Sequence, residues 1–178
     1  MKIIETNIDG AVIIEPKVYG DSRGFFLESW HQERYRQQLK IELPFVQDNH
    51  SRSTKGVLRG LHFQKTKPQG KLVRVVRGEV FDVSVDLRRD SPTFGAWQGA
   101  YLSEDNHRQL WLPPGLAHGF LVTSASADFE YKCTDYYDPA DEGCLLWNDT
   151  DVGIEWPLAT PLLSEKDRAG LSFRELTA

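Results

Sequence analysis

Between residues 41 and 160 the apolar positions recur mostly with a period of two, the spacing of strands, and helical periodicity is almost absent. The clearest stretch runs from Lys71 to Leu87. Lys71, Val73 and Val75 share one face, and after a turn at Arg77-Gly78, Phe81, Val83, Val85 and Leu87 share a face against Asp82, Ser84 and Asp86. This predicts a strand pair with one buried face. Just before it, Val57 to Gln64 (VLRGLHFQ) predicts another strand, joined to Gly70–Arg74 by a short polar turn, Lys65 to Gln69, that holds Pro68. Ala11 to Ile14 reads as a strand at a sheet edge, ended by Glu15-Pro16. Further strands are expected at residues 25–30, 96–102, 109–112, 119–123, 129–134 and 145–147. Phe45 to Ser51 is polar and lacks clean alternation. Gln47 and Asn49 share a face there, so the segment is either an edge strand near a turn or the wall of a wet cavity.

Residues 31–40 (HQERYRQQLK) form the one clear helix before the C-terminus. It is thin in apolar residues and so lies on the surface, with His31 exposed at its start. Leu163 to Asp167 carries a helix-start signature, with Ser164 as N-cap and Asp167 at the capping-box position. Many short strands, with no internal repeat and no low-complexity linker, predict an all-β sandwich or closed barrel. The 178 residues suit a single domain, 1–178, able to bury most of its apolar surface.

Charge and cysteine usage narrow the class. A net charge of −5 without a basic block argues against a nucleic-acid partner. Met1 to Glu5 has no long apolar run, and nothing approaches the ~20 apolar residues of a membrane span, so no membrane partner is expected and the cytoplasm is the expected compartment. Cys133 and Cys144 stand 11 positions apart with no C-x-x-C pair, which indicates neither a zinc site nor a disulfide framework.

The stretch from Val57 to Arg74 gathers Arg59, His62 and Lys71: a fixed cation, an imidazole and an ammonium. That set suits a site that holds an anion and moves a proton. The plain alternative is that His62 is a half-buried strand residue. Arg59 and His62 are three apart, on opposite faces of a regular strand, so both serve one site only if the strand is bulged or bent, and Gly60 is where that is expected. Pro113-Pro114-Gly115-Leu116-Ala117-His118 delivers His118 onto the start of a strand. Tyr131 shares a face with Phe129, and a tyrosine inside a barrel is ordinarily a packed residue with a satisfied hydroxyl; Glu130 beside it should point away. Arg23, in a glycine-bounded turn, reads by itself as solvated surface, and Asp167 as a capping residue.

The P-x-G-x-x-H spacing at 113–118 resembles the second motif of the cupins, double-sheet jelly-roll barrels that hold their sites inside. In metal-binding cupins an earlier H-x-H pair completes the ligands. Here that position reads His62-Phe63-Gln64, and a transition-metal site wants three or so convergent donors. The expectation is a cupin-type double-sheet jelly-roll barrel, with a few short peripheral helices, that works without metal or cofactor.

Gly24 to Ser29, Phe45 to Ser51, Val57 to Gln64, Gln69 to Arg74, Gly78 to Val83, Arg108 to Phe120 and Leu146 to Asp149 together resemble the dTDP-4-dehydrorhamnose 3,5-epimerase family over nearly the full chain. The resemblance implies inversion of C5 and C3 of dTDP-4-dehydro-6-deoxyglucose, a dTDP-4-keto-6-deoxyhexose, on the way to dTDP-L-rhamnose. It implies His62 as proton acceptor, Tyr131 as donor, Asp167 as the carboxylate partner of His62 (replacing the capping reading), and Lys71 as the charge that stabilises the enolate oxygen. It further implies substrate contacts from Arg23, Phe26, Glu28, Gln47, Asn49, Arg59, His118, Glu142 and Lys166, with Tyr137 stacked on the thymine. A homodimer is implied, with N-terminal elements crossing to the neighbour. The residue types agree with this chemistry: imidazole exchanges protons near neutrality, an ammonium stabilises charge developing on a ketone oxygen, and guanidinium forks match pyrophosphate oxygens. Other readings are a single-site epimerase acting at C5 or C3 alone, which would share His62, Lys71 and Tyr131, a non-catalytic cupin that binds a sugar nucleotide or a carbohydrate, and a metal-dependent cupin enzyme.

Overall fold

Strand alternation folds the chain into two facing antiparallel sheets. The computed structural model describes residues 1–178. Its strands are β1 (Lys2–Glu5), β2 (Val12–Glu15), β3 (Val18–Asp21), β4 (Gly24–Leu27), β5 (Gln47–Thr54), β6 (Leu58–Gln64), β7 (Lys71–Arg77), β8 (Glu79–Asp86), β9 (Trp97–Ser103), β10 (Gln109–Leu112), β11 (Leu116–Val122), β12 (Ser126–Cys133) and β13 (Glu142–Cys144). The helices are α1 (Gln32–Leu39), α2 (Glu165–Arg168) and α3 (Phe173–Thr177). One sheet runs β1-β2-β10-β7-β12-β5, the other β13-β6-β11-β8-β9, and β3 and β4 form a separate ribbon. This is the double-sheet barrel expected from the sequence.

Three apolar layers hold it. Between the sheets lie Val73, Val75, Val80, Leu110, Phe120 and Phe129 with their neighbours. Phe129 stacks on Phe120 at a centroid distance of 4.2 Å, so Phe129→Ala would cost about 3–5 kcal/mol. Outside the six-stranded sheet, α1 docks through Tyr35 onto Ile14, Leu72 and Trp111, and the Tyr35 hydroxyl donates to Gln109 Oε1 at 2.7 Å. A helix with thin apolar content thus still buries one residue. Outside the five-stranded sheet, Val83, Val85 and Ala117 are covered by the C-terminal segment through Trp156 and Phe173.

Several local expectations are corrected. β6 pairs with β11 and β13, whereas β7 pairs with β10 and β12. The polar segment between them therefore crosses from one sheet to the other and closes no hairpin. β7 and β8 also lie in different sheets. On β8 the supposed solvent face, Asp82, Ser84 and Asp86, is fully buried, because Val83 and Val85 are already turned outward under the C-terminal segment. β2 lies inside its sheet, and the edge belongs to β1, which the sequence pattern did not flag. Residues 145–147 form no strand. β13 ends at Cys144, and Leu145 makes only an isolated bridge to Leu171. β11 begins at Leu116, so His118 stands within the strand. For β5 both readings hold: it is an edge strand, and Gln47 and Asn49 line a cavity.

The bulge expected at Gly60 is present. In the β6–β11 pairing His62 faces His118 and Arg59 faces Phe120, so three steps on β6 oppose two on β11. Gly60 has a φ of 125°, and a Cβ there would meet the Gly119 Cα at 2.6 Å. Only glycine fits that approach. The extra residue turns Arg59 to the same side as His62.

Candidate active site

Because the strands are antiparallel, the C-terminal ends of β6 and β12 meet the N-terminal ends of β5, β7 and β13 at one mouth of the barrel. A cavity of about 330 Å³ opens there. One wall carries His62 and Gln64 of β6 with Glu142 of β13. The facing wall carries Lys71 of β7, Tyr131 of β12, and Gln47 and Asn49 of β5, while Tyr137 and Gln69 come from the loops. A groove of the same volume over the outer face of the six-stranded sheet is lined by Asp48, Arg74, Glu130 and Lys132. Its charges are paired, Arg74 with Glu130 and Lys132 with Asp48, each at 2.9 Å. Glu130 thus points away from the cavity, as alternation predicts. The inner cavity holds the groups free for chemistry.

His62 is fixed from behind. Its Nε2–H donates to Asp167 Oδ1 at 2.6 Å, and Nδ1 stands 3.9 Å from Glu142 Oε1. Asp167 also receives the Ser164 hydroxyl at 2.8 Å, while its own N–H donates to Ser164 Oγ at 3.1 Å. Asp167 is thus both three residues into α2 from its N-cap, Ser164, and in contact with the imidazole. Burial pushes the Asp167 carboxyl up, but hydrogen bonds from His62 and Ser164 outweigh it and hold it below the ordinary value. A carboxylate so held orients the ring and balances an imidazolium.

Lys71 faces this arrangement from the other sheet. Burial pulls its ammonium below the ordinary lysine range, against the attraction of Asp82 and Glu142. A poorly solvated cation is what a developing oxyanion needs. Burial likewise pushes the Tyr131 hydroxyl up to about 12, so Tyr131 keeps its proton and can donate it. Its ring packs at 6.0 Å from Phe129. The packed reading of Tyr131 thus holds for the ring, while the hydroxyl reaches the cavity.

At the rim, Tyr137 Oη donates to Glu142 Oε2 at 2.8 Å, and Lys166 donates to the same oxygen. Burial pushes the Glu142 carboxyl up, and these bonds more than reverse it. Gln47 Nε2 donates to Asn49 Oδ1 at 3.0 Å, and the Tyr137 N–H donates to Gln47 Oε1 at 3.0 Å. Arg59 donates to Ser53 Oγ at 2.9 Å. His118 is buried deeper, bonded through Nε2 to Asp82 at 2.9 Å. Arg59 and Lys166 line an adjoining groove and not the cavity, and three further expected residues are brought to neither by this chain. Arg23 pairs with Asp21 in the β3–β4 turn, Phe26 is 69% exposed on β4, and Glu28 pairs with Arg34 at 2.7 Å.

Sequence reasoning missed four residues. Gln64 pins the rim loop, donating to the Lys67 carbonyl at 3.0 Å and accepting from the Asp138 N–H at 2.7 Å. Gln69 lines the cavity and donates to the Asp135 carbonyl at 2.8 Å. Phe63 also lines it. Asp82 lies beneath Lys71 and His118, and burial pushes its carboxyl up. Its signal was available in the polar file Asp82-Ser84-Asp86 opposite a fully apolar one, which on a central strand marks a polar interior.

The family model described as dTDP-4-dehydrorhamnose 3,5-epimerase matches residues 5–175. The dTDP-4-dehydrorhamnose 3,5-epimerase of Salmonella typhimurium is 56% identical over 171 residues, covering 95% of this chain and 93% of that protein. The enzyme of the same name from Pseudomonas aeruginosa is 54% identical over 176 residues, covering 98% and 97%. A crystal structure of a dTDP-6-deoxy-D-glucose-3,5-epimerase from Legionella pneumophila, in complex with dTDP-4-keto-L-rhamnose, superposes with a TM-score of 0.95 at 56% identity. It covers 98% of this chain and 96% of that one.

Proposed function

The chain belongs to the dTDP-4-dehydrorhamnose 3,5-epimerase family, and from that premise we propose that it converts dTDP-4-dehydro-6-deoxy-D-glucose to dTDP-4-dehydro-L-rhamnose by inverting C3 and C5. The observation that carries this reading is the placement of His62 and Tyr131 on facing walls of one cavity, with Lys71 beside them. Inversion requires removal of a proton from one face of the carbon and return of a proton to the other. His62, oriented by Asp167, accepts the C–H proton beside the C4 ketone. The electron pair moves into the enolate, whose oxygen Lys71 stabilises, and Tyr131 donates to the opposite face. The same groups act again at the second carbon.

Gln47, Asn49, Tyr137 and Glu142 in the cavity, with Arg59 and Lys166 in the adjoining groove, suit the nucleotide end. His118 acts through Asp82 and the cavity floor. Arg23, Phe26 and Glu28 reach a site from a second copy of the chain, which makes the functional unit a homodimer. The exposed apolar residues of the β3–β4 ribbon, Tyr19, Phe25 and Phe26, support that assembly. The two free thiols suit the cytoplasm. No helix is long and apolar enough to cross a membrane.

The deciding experiment is NMR of the product formed from dTDP-4-dehydro-6-deoxyglucose. Inversion at both carbons is expected. Inversion at one alone would make this a single-site epimerase, and binding without solvent-proton exchange would make it a sugar-nucleotide-binding barrel.

A further inference from the structure

The neighbours of His62 on the side of Asp167 include a thiol that the epimerase chemistry does not use. Cys144 of β13 is the direct pairing partner of His62 on β6, and α2 brings Asp167 onto the same imidazole. One donor atom from each of His62, Cys144 and Asp167 lies within 4.8 Å of the other two. We propose that these three residues form an inhibitory site for a thiophilic divalent transition-metal ion, of which Zn²⁺ is the type, and that occupancy of the site disables His62. The inhibitory half of the proposal rests on the epimerase reading above; the binding half does not.

The donor set fits such an ion. Imidazole nitrogen, thiolate sulfur and carboxylate oxygen are the zinc ligands of proteins, bound at about 2.0–2.3 Å with tetrahedral geometry, which places the donors roughly 3.5 Å apart. The sulfur has to move inward by little more than about one ångström, within reach of rotation about the cysteine χ1, while the His62–Asp167 pair, now at 2.6 Å, opens by about as much to admit the ion. Cys144 is free to turn, because its only partner is the Leu145 carbonyl at 3.7 Å, a weak contact. A surface groove of about 390 Å³ reaches two of the three ligands: Leu162, Ser164 and Lys166 line it with His62 and Asp167, and it shares only His62 with the inner cavity. The groove carries two cations, Lys166, which is held by Glu142, and Arg59, which donates to Ser53.

The consequence for His62 follows from which nitrogen is engaged. An ion held by the nitrogen that now meets Asp167 replaces the hydrogen bond that supports an imidazolium. It also draws electron density from the ring, so the nitrogen facing the cavity becomes a poor proton acceptor. The thiol gives up its proton on coordination. Because the ion sits outside the substrate cavity, it should lower kcat and leave KM unchanged. A hard ion such as Mg²⁺ has no preference for this sulfur-containing set.

The test uses the purified, metal-free protein with Co²⁺ and Zn²⁺ as probes. Wild-type protein should bind one Co²⁺ with a thiolate-to-cobalt charge-transfer band, and Zn²⁺ should abolish the band. Added Zn²⁺ should lower kcat at constant KM, with EDTA restoring it and Mg²⁺ inert. Cys144→Ala should turn over normally without metal, lack the charge-transfer band, and need at least tenfold more Zn²⁺ for half-inhibition; Cys144→Ser serves equally if the alanine variant is unstable. Absence of the band in wild type, or equal Zn²⁺ sensitivity in the Cys144 variants, overturns the site. A band with undiminished turnover overturns the inhibition. Failure of the epimerase reading would show separately, as no turnover in metal-free buffer with the band intact.

Discussion

His62 and Asp167 are 105 positions apart in sequence, yet the imidazole Nε2–H donates to the carboxylate at 2.6 Å. The second oxygen of Asp167 is taken by Ser164, so neither the carboxylate nor the ring is free to rotate. Asp167→Asn keeps the shape and removes the charge that balances an imidazolium. Its kcat should fall on the order of 10²-fold or more, with KM little changed. Wild-type turnover in steady-state assays would remove Asp167 from the proton-transfer machinery.

The base and the acid should fail differently in D₂O. His62→Ala cannot form the enolate efficiently, so inversion and deuterium wash-in should fall together. Tyr131→Phe keeps the base, Lys71 and the packed ring. Deuterium should still enter from the original face through His62, while net inversion drops by about 10²–10⁴-fold. Normal inversion by Tyr131→Phe, or normal exchange by His62→Ala, would reverse the assignment.

Lys71 sets activity against stability. Its lowered pKa means that the protonated side chain costs the fold stability at every pH below that depressed value, and that the cost fades as pH rises toward the ordinary 10.5. Lys71→Met should therefore melt at a higher temperature than wild type at pH 7, with the gain shrinking in alkaline buffer. Its turnover should drop by about 10²–10³-fold. Wild-type activity should decline on the alkaline side as the ammonium is lost. A Lys71→Met protein that is less stable at neutral pH would contradict the burial cost.

Tyr137 enters the cavity from a loop, and its hydroxyl is bonded to Glu142. Tyr137→Ala should raise KM much more than it lowers kcat. A collapse in kcat at unchanged KM would count against a role in holding the nucleotide.

Arg23 lies outside the cavity of its own chain, which makes the dimer testable by mixing. Arg23→Ala and His62→Ala should each be impaired alone. Co-refolding them should restore activity, because one of the two sites in a mixed dimer then combines an intact His62 with an intact Arg23 from the other copy. Purely additive residual activities would place Arg23 elsewhere.

Much of this was legible from local pattern. The strand period exposed the barrel, and Gly60 between Arg59 and His62 announced the bulge, because two polar residues three apart can share a site only where alternation breaks. What stayed hidden was long-range. A polar connection such as residues 65–70 reads the same whether it returns to its own sheet or crosses to the other. The burial of Asp82 depends on which face of β8 the C-terminal segment covers. Asp167 reads on its own as a helix-cap residue because Ser164, three residues away, accounts for it locally, while His62 is distant in sequence.

The crossing at residues 65–70 has a wider consequence. It divides the reacting groups between two separate sheets, with His62 on one and Lys71 and Tyr131 on the other. The distance a proton must travel is therefore set by the side chains that space the sheets, Val73, Leu110, Phe120 and Phe129 among them. A misplacement of about 1 Å can cost roughly 10²-fold in rate. If His62 and Tyr131 pass the proton, the apolar filling that never touches the sugar sets the gap between them, and substitutions there are expected to change turnover without altering the mouth of the barrel.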